Sequence, residues 1–308
     1  MTTDAAVELA GVTKRFGDVV ALDRVDLRVP SGVIFGFLGP NGAGKTTTIR
    51  LLTGLARPTS GEVRVLGREV TSAGFEVSSR VGYLPDVPAF YEWMTGEEYL
   101  AFVASLFGLE SSVAKKRAGV LLEAAGLAGV RTRIGGYSRG MKQRLGIAQA
   151  LMNAPALLVL DEPTSALDPI GRKEVLDMIE ALAGKATVFF STHILSDAER
   201  VCDEVAILDR GRVVANASVD EIRSRAGRKV ALEVAGDVER VERAVAAAAW
   251  CRGVTRVGAR IEAAVSDPGS AQRDVPAIVA AAGAGLVRFE TVEPTLEDVF
   301  VELVERAS

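Results

Sequence analysis

Gly39-Pro40-Asn41-Gly42-Ala43-Gly44-Lys45-Thr46-Thr47 is the stretch of this sequence that decides the fold. It matches the pattern G-x-x-x-x-G-K-[ST] at every required position. Glycine lets the backbone curl around an anion, so that successive N–H groups point at phosphate oxygens from the start of a helix. Lys45 supplies a positive charge for the β- and γ-phosphates, and Thr46 supplies a hydroxyl for Mg²⁺. We therefore predict that the whole stretch is a nucleotide-binding loop.

The residues on either side of this loop favour a strand before it and a helix after it. Residues 33–38 form a continuous apolar run of the kind that buried strands show. Residues 46–55 have the pattern of a helix that ends near Gly54 or Pro58. A glycine-rich turn without a ligand would match the bare pattern, but it would not require both flanking elements.

The composition indicates a soluble globular protein, and two domains fit its 308 residues better than one. A net charge of −4 argues against a dominant nucleic-acid surface, although it leaves room for a local basic patch, and no direct nucleic-acid partner is expected. Residues 1–11 show no secretory signal, and the apolar stretch 275–287 is too short to span a bilayer. Cys202 and Cys251 fit two reduced thiols, and no metal cage is predicted.

Short apolar runs predict parallel strands separated by helices in the first two thirds of the chain. These runs are residues 157–160, 187–190 and 205–208. Residues 88–153 contain only helical patterns, which predicts a helical subdomain inserted in the sheet domain. A boundary is expected near residues 215–228, and the segments beyond it follow a β-α-β-β-α-β-α order that predicts a small ferredoxin-like α+β domain.

Two carboxylates, Asp161 and Glu162, stand at the end of the apolar run 157–160. Open α/β sheets bind their ligands at this end of the strands. Asp161 is placed to hold Mg²⁺, and Glu162 to act as the general base for an attacking water. The alternative is a pair of carboxylates that only cap the structure ahead of Pro163.

A second candidate anion site is the run Tyr137-Ser138-Arg139-Gly140-Met141-Lys142-Gln143-Arg144, which precedes a helix with apolar residues at helical spacing. Ser138 is the expected N-cap of that helix. A capped helix start that carries a glycine is also able to bind an anion. An N-cap alone would explain the serine equally well.

In its motifs and in their order, the chain resembles the ATP-binding-cassette (ABC) ATPases. The motifs are GPNGAGKTT at 39–47, YSRGMKQR at 137–144, LLVLDEPTSALD at 157–168 and His193, and the resemblance covers residues 6–215. It implies an α/β P-loop NTPase cassette with a mixed sheet core and an inserted helical subdomain at about 88–153. The cassette would occupy residues 1–219, and a C-terminal accessory domain of α+β type residues 220–308.

The resemblance also implies roles for single residues. Ser138 and Gly140 would close over the γ-phosphate held by the nucleotide-binding loop of a second cassette. Asp168 resembles the aspartate that contacts the other cassette in the dimer. His193, the single histidine of the chain, resembles the histidine that senses the γ-phosphate. We count it with Lys45 and Glu162 as a candidate catalytic residue.

Three further positions are compared with the family pattern. Phe16 resembles the aromatic residue that stacks on adenine, and an ordinary core or strand aromatic is the alternative. Asp86 occupies the position where most of these cassettes carry glutamine, and it is a candidate ligand for Mg²⁺ through a water. Arg139 replaces a glycine of the family's signature.

The family resemblance implies the motor subunit of a membrane exporter of the multidrug, or ABC-2, branch. Two cassettes, expected as a homodimer, would sandwich two Mg-ATP and drive a permease on a separate polypeptide. The subunit would then lie at the cytoplasmic face of the membrane. Residues 90–94 are the candidate groove for the permease, with packing of the helical subdomain as the alternative. Two other classes stay open: a soluble cassette ATPase acting on ribosomes or DNA, and a P-loop kinase.

Overall fold

The computed structural model describes residues 5–73, 75–165, 167–225, 228–292 and 295–300. The chain divides into two compact units, of which the first ends at Ser218 and the second begins at Val219. Within the described ranges, no helix is both long and apolar enough to cross a bilayer.

The first unit contains two β-sheets. The larger has the strand order β10-β9-β3-β8-β7-β6. Five of its strands, from β9 to β6 in this order, run parallel to one another. The sixth strand, β10, pairs antiparallel with β9 at one edge. Its strands are β3 (Ile34–Leu38), β6 (Val81–Leu84), β7 (Leu157–Asp161), β8 (Thr187–Thr192), β9 (Glu204–Asp209) and β10 (Arg212–Ser218). This arrangement brings the carboxyl ends of β3, β7 and β8 to one edge, where both the loop at Gly39 and the Asp161-Glu162 pair begin.

The central strands of the parallel sheet are buried on both faces, and helices pack against the sheet. All residues of β3, β7 and β8 are buried. Phe35 and Phe189 stack with ring centroids 5.7 Å apart on one face, and Leu160 and Phe190 lie in a separate core on the other. Outside residues 88–153, the α-helices of this unit are α1 (Lys45–Leu52), α2 (Val70–Ala73), α3 (Phe75–Ser78), α7 (Pro169–Glu180) and α8 (Leu195–Val201).

The second sheet of this unit is antiparallel and has the order β2-β1-β4-β5. Its strands are β1 (Ala5–Phe16), β2 (Val19–Pro30), β4 (Ser60–Val65) and β5 (Arg68–Glu69). The sequence predicted one mixed sheet core and did not separate this sheet from the parallel one. Pairing of β1 with both β2 and β4 joins residues far apart in the chain, and apolar runs do not reveal such pairing.

Between residues 88 and 153 the structure has three α-helices and a short 3-10 helix. They are α4 (Gly96–Leu106), α5 (Ser111–Ala124), the 3-10 helix Ile134–Gly136 and α6 (Arg139–Ala150). These helices share a hydrophobic core that includes Leu100, Leu122, Ile134 and Leu145. Ser138 is the N-cap of α6 and accepts a hydrogen bond from the Met141 N–H at 3.2 Å, as predicted.

The second unit contains an antiparallel sheet of order β12-β13-β11-β14, against which α10 and α11 pack. Its elements are α9 (Val219–Arg225), β11 (Lys229–Ala235), α10 (Val238–Ala246), β12 (Cys251–Val257), β13 (Arg260–Val265), α11 (Pro268–Ala281) and β14 (Gly285–Val292). Alternate residues such as Leu232 and Ile261 pack against Val241 and Val275 of the helices. This strand order and connectivity make it ferredoxin-like. Residues 296–300 are helical, and the last eight residues of the chain lie outside the described ranges.

Candidate functional site

The loop between β3 and α1 is built so that an anion can approach its backbone. Gly44, the N-cap of α1, has a φ of 113°, and a Cβ atom there would lie 2.7 Å from the Ala21 oxygen. A Cβ atom at Gly39 would lie 2.3 Å from the Leu208 oxygen, so only glycine fits either position. Gly44 offers no side-chain cap, and the first turn of α1 has no acidic residue. The N–H groups at its start therefore remain available to an external acceptor, as phosphate binding requires.

Lys45 lies inside this loop, with only 6% of its surface exposed. Its Nζ atom donates to the carbonyl oxygens of Gly39 at 2.7 Å and Pro40 at 3.3 Å. The same ammonium is 3.1 Å from Glu162 Oε1. Asn41 and Gly42 are exposed at the tip of the loop, Ala43 is buried, and Thr47 is half-buried in α1. The loop thus places a cation beside its exposed tip and in contact with the candidate base.

Asp161 is the last residue of β7 and is 1% exposed. Its Oδ1 atom accepts hydrogen bonds from Ser191 Oγ at 2.7 Å and from Thr46 Oγ1 at 3.4 Å. Burial raises the pKa of Asp161, and the nearby carboxylates of Asp86 and Glu162 add to the rise, while both hydroxyl hydrogen bonds oppose it. A carboxylate that is costly to ionise in this place is suited to bind a cation.

The donor set around Asp161 fits Mg²⁺. This ion is usually held by one or two carboxylates together with substrate phosphates, and Thr46 and Asp161 offer a hydroxyl and a carboxylate next to the phosphate-binding loop. Asp86 is exposed in the loop after β6, close enough for its charge to affect Asp161. Within the described ranges, no group of three or more His, Cys, Asp or Glu side chains is arranged to hold a metal by itself.

Glu162 lies between two basic side chains. Its backbone has a left-handed φ of 48°, a strained conformation for a residue other than glycine. This conformation turns the carboxylate so that Oε1 meets Lys45 and Oε2 lies 2.8 Å from His193 Nδ1. The Glu162 N–H donates to Ser191 Oγ at 3.0 Å. The structure thus brings Lys45, Glu162 and His193, the candidate catalytic residues, into one contact network.

Ser191 was missed as a site residue by the sequence analysis. It lies opposite Asp161 in the parallel register of β7 and β8, and its hydroxyl bridges Asp161 and the Glu162 backbone. The run Phe189-Phe190-Ser191-Thr192 contained a usable signal. Polar residues that end a buried strand next to the Asp161 strand face the same edge of the sheet.

Ser138, Gly140 and Asp168 form a second group. Asp168 is the N-cap of α7 and accepts a hydrogen bond from Gly171 N at 3.2 Å. A Cβ atom at Gly140 would lie 3.8 Å from Gly171 Cα, so the starts of α6 and α7 lie side by side. No hydrogen bond or ion pair among the described residues joins this group to Lys45, Glu162 or His193.

Phe16 ends β1, and about half of its surface is exposed. The Lys14 ammonium lies 4.8 Å from the centroid of its ring. This exposure excludes a core aromatic, but the alternative of an ordinary strand aromatic stays open because Phe16 belongs to β1. A half-exposed aromatic ring is suited to stack on a flat base.

Comparisons with known proteins identify the family. Residues 22–165 match the family described as ABC transporter, and residues 218–304 match a C-terminal domain described as ATP-binding protein DrrA1-3-like. The chain is 38% identical to the ABC transporter ATP-binding protein YxlF of Bacillus subtilis, over 97% of this chain and 99% of that protein. This chain belongs to the ATP-binding proteins of ABC transporters.

This ABC ATP-binding protein is also 38% identical to the daunorubicin resistance ATP-binding protein DrrA3 of Streptomyces coeruleorubidus, over 97% of this chain and 96% of that protein. It resembles a solved ATP-binding cassette in a dimeric post-hydrolysis state bound to ADP and phosphate. The TM-score is 0.62 at 26% identity, and the match covers 69% of this chain and 98% of the other. The predicted family, cassette fold and ATPase activity are therefore confirmed. None of these comparisons supports a ribosome- or DNA-acting ATPase or a kinase.

Proposed function

We propose that this ABC ATP-binding protein is the motor of a membrane exporter, and that two copies close around two Mg-ATP to drive a separate permease. One observation carries the proposal: the Glu162 carboxylate lies between Lys45 at 3.1 Å and His193 at 2.8 Å, beside the Thr46 and Asp161 oxygens. The relative DrrA3 bears the name of a daunorubicin resistance protein, and this favours a drug-like cargo.

The site residues then have the following roles in hydrolysis. Lys45 and the loop N–H groups bind the β- and γ-phosphates. Glu162 accepts the proton of the water that attacks the γ-phosphate, and His193 holds the Glu162 carboxylate in place. Thr46 and Asp161 would hold Mg²⁺, which neutralises charge on the phosphates when bound. Phe16 stacks on the adenine.

The separation of the two groups of residues argues for a dimer. Ser138 and Gly140 have the N-cap geometry of an anion site, yet they make no described contact with the cluster around Glu162. They are therefore suited to close over a nucleotide bound by a second copy, with Asp168 at the same surface. If each chain bound and enclosed one nucleotide without a partner, this second anion site would have no ligand.

The permease is expected to dock on the segment 90–94 of the helical region. The structure divides this segment by residue: Phe90 and Met94 pack against the helical core, whereas Tyr91 and Trp93 are 47% and 62% exposed. Packing therefore accounts for Phe90 and Met94, and the exposure of Tyr91 and Trp93 supports them as the residues that meet the permease. Through the permease, the subunit would be held at the cytoplasmic face of the membrane.

Contacts of the same segment lead to the second anion site. The Ile134 N–H donates to the Met94 oxygen at 2.8 Å, and the Gly135 N–H donates to the Glu92 oxygen at 2.9 Å. Glu92 also pairs with Lys142 of α6 at 2.7 Å. A permease that moves the segment would therefore also move the loop that leads into Ser138.

The test of the proposed function uses Glu162→Gln. This variant should lose about 10²-fold to 10⁴-fold in hydrolysis and should accumulate as an ATP-dependent dimer, seen by light scattering after gel filtration. Adding Ser138→Ala to it should abolish the dimer. A Ser138→Ala protein that stays monomeric and hydrolyses ATP at the full rate would contradict the proposal.

The docking segment has its own test. Tyr91→Ala and Trp93→Ala should reduce co-purification with the permease and leave ATP binding unchanged, because both side chains are exposed and distant in the chain from the phosphate loop. Val120→Ala, at another exposed apolar position, is the control. Intact membrane association and transport in the double variant would exclude this surface.

A further inference from the structure

One buried carboxylate outside the cluster around Glu162 binds side chains from other segments of the chain. Asp197 of α8 is 1% exposed. Its Oδ2 atom accepts a hydrogen bond from Thr164 Oγ1 at 2.6 Å, and its Oδ1 atom accepts one from Arg172 Nε at 2.5 Å. Arg172 also donates to Ser196 Oγ at 2.9 Å. Both oxygens of this carboxylate are therefore bound by groups from other segments.

The two partners of Asp197 lie at opposite ends of the segment that follows the catalytic strand. Thr164 lies in a turn in which Ser165 N donates to the Glu162 oxygen at 3.1 Å. Arg172 lies in the first turn of α7, and its N–H donates to the Asp168 oxygen at 2.9 Å. The carboxylate thus fastens the chain just after Glu162 and again just after Asp168.

Asp197 itself is tied to His193. Helix α8 begins at Leu195, and the Asp197 N–H donates to the Ile194 oxygen at 3.1 Å. His193 in turn contacts Glu162 at 2.8 Å. These contacts form a closed circuit that runs from Glu162 to Thr164, across to Asp197, back along the chain to His193 and across to Glu162.

We propose that Asp197 is a positioning residue that sets the place of Glu162 relative to His193 and the place of Asp168 at the dimer surface. The Arg172 side chain is 32% exposed and only its partner carboxylate is buried; an ion pair that removes a charge from water contributes little net stability compared with apolar side chains of the same size, so the fold alone does not require a charge here. Its bonds to two separate segments do define one geometry. The inference rests on the proposed function, because it assigns Glu162 and His193 their parts in hydrolysis.

The experiment compares Thr164→Val with Thr164→Ser in the full-length protein. Valine keeps the shape of threonine and loses the hydroxyl, whereas serine keeps the hydroxyl. We expect kcat to fall about ten-fold to a hundred-fold in Thr164→Val, since small displacements of reacting groups cost rates of this order. The Kd for Mg-ATP should change by less than about two-fold, because the binding loop is untouched. Thr164→Ser should restore kcat.

Asp177→Asn is the matched control. Asp177 joins the same two helices through Arg200, but on the exposed surface, so its loss should leave kcat and ATP affinity unchanged. Arg172→Met removes the second contact and should reproduce the split between kcat and Kd, which keeps the proposal testable if Thr164→Val does not fold.

Two results would overturn the inference: an unchanged kcat in both variants, or an equal fall of kcat and ATP affinity, which would mark Asp197 as merely structural. Failure of the proposed function looks different. In that case Glu162→Gln would hydrolyse ATP at the wild-type rate, whatever the Thr164 variants do.

Discussion

The parallel sheet of the first unit and the antiparallel sheet of the second unit place their polar side chains in different surroundings. In the parallel sheet of the first unit, β7 and β8 are buried throughout, and at their carboxyl ends the polar side chains of Asp161 and Ser191 bind each other. In the antiparallel sheet of the second unit, β13 alternates between buried and half-buried residues. Its polar side chains form exposed ion pairs, such as Arg260 with Glu262 and Glu290.

The difference shows why chemistry is expected in only one of the two sheets. A charge that is removed from water must be matched by its neighbours, and it then has a defined position and an altered affinity for protons and cations. A charge on an open sheet face keeps its water and is free to move. The four predictions below compare substitutions in these two environments.

The largest effect is expected from Lys45→Ala. Lys45 is buried against Gly39, Pro40 and Glu162, so its loss removes a desolvated charge from the proposed phosphate site. We expect ATP affinity to fall about 100-fold to 1,000-fold, or roughly 3–4 kcal/mol, as measured by calorimetric titration. Lys185→Ala, at an exposed lysine, is the control. ATP binding within two-fold of wild type, a limit set at about 0.4 kcal/mol, would contradict the assignment of the loop.

Leu232→Ala tests the apolar face of the sheet in the second unit. Leu232 is 1% exposed in the core of that unit, and its truncation should cost about 2–5 kcal/mol of unfolding free energy, measured in urea. Val287→Ala, at a position 63% exposed, should change it by less than about 0.5 kcal/mol. ATP affinity in native buffer should stay unchanged in both. Equal unfolding curves for the two variants would refute the described core.

Asp161→Asn should stabilise the protein and inactivate it. Burial raises the pKa of Asp161, so folding favours the protonated form, and this contribution is lost as pH rises from the ordinary value of 3.8 through the raised value. Asparagine does not ionise, so the variant avoids this loss of stability at neutral pH. We expect a gain on the order of 1 kcal/mol at pH 7 without nucleotide, which disappears toward acid pH, together with loss of Mg-dependent hydrolysis.

The control for this experiment is Asp177→Asn, measured by the same thermal melts. Lys173 is the main cause that holds the pKa of Asp177 below its usual range. Its ionised form therefore stabilises the fold at neutral pH, and that contribution is lost as pH falls through the lowered pKa. The two substitutions should shift the melting temperature in opposite directions. A shift of the same sign in both variants would show that burial does not control the pKa of Asp161.

The smallest effect is expected from Arg288→Ala on the open face of the sheet in the second unit. Arg288 pairs with Glu290 at 2.6 Å, but its side chain is 65% exposed. Exposed pairs contribute less than about 1 kcal/mol, so the unfolding free energy should change by at most that amount and ATP hydrolysis should not change. A large loss of either would show that this face does more than carry solvated charge.

Much of this architecture could be predicted because its signals are local. The phosphate loop, the Asp161-Glu162 strand end and the Ser138 cap each depend on residues within one turn or strand. The order of elements in the second unit followed from its alternating runs. The antiparallel sheet of β1, β2 and β4 was not separated from the parallel one, and Ser191 was not assigned. Both depend on strands that meet only in the folded chain.

By itself, the sequence determined which groups are available for chemistry: a glycine-rich loop, a lysine, two adjacent carboxylates and one histidine. Only the tertiary structure decided that Glu162 meets both Lys45 and His193, that Ser191 bonds Asp161, and that Asp197 holds Thr164 and Arg172. The physical reason is range. Backbone conformation depends on neighbouring residues, whereas these distances depend on the register of parallel strands and on the packing of α7 and α8.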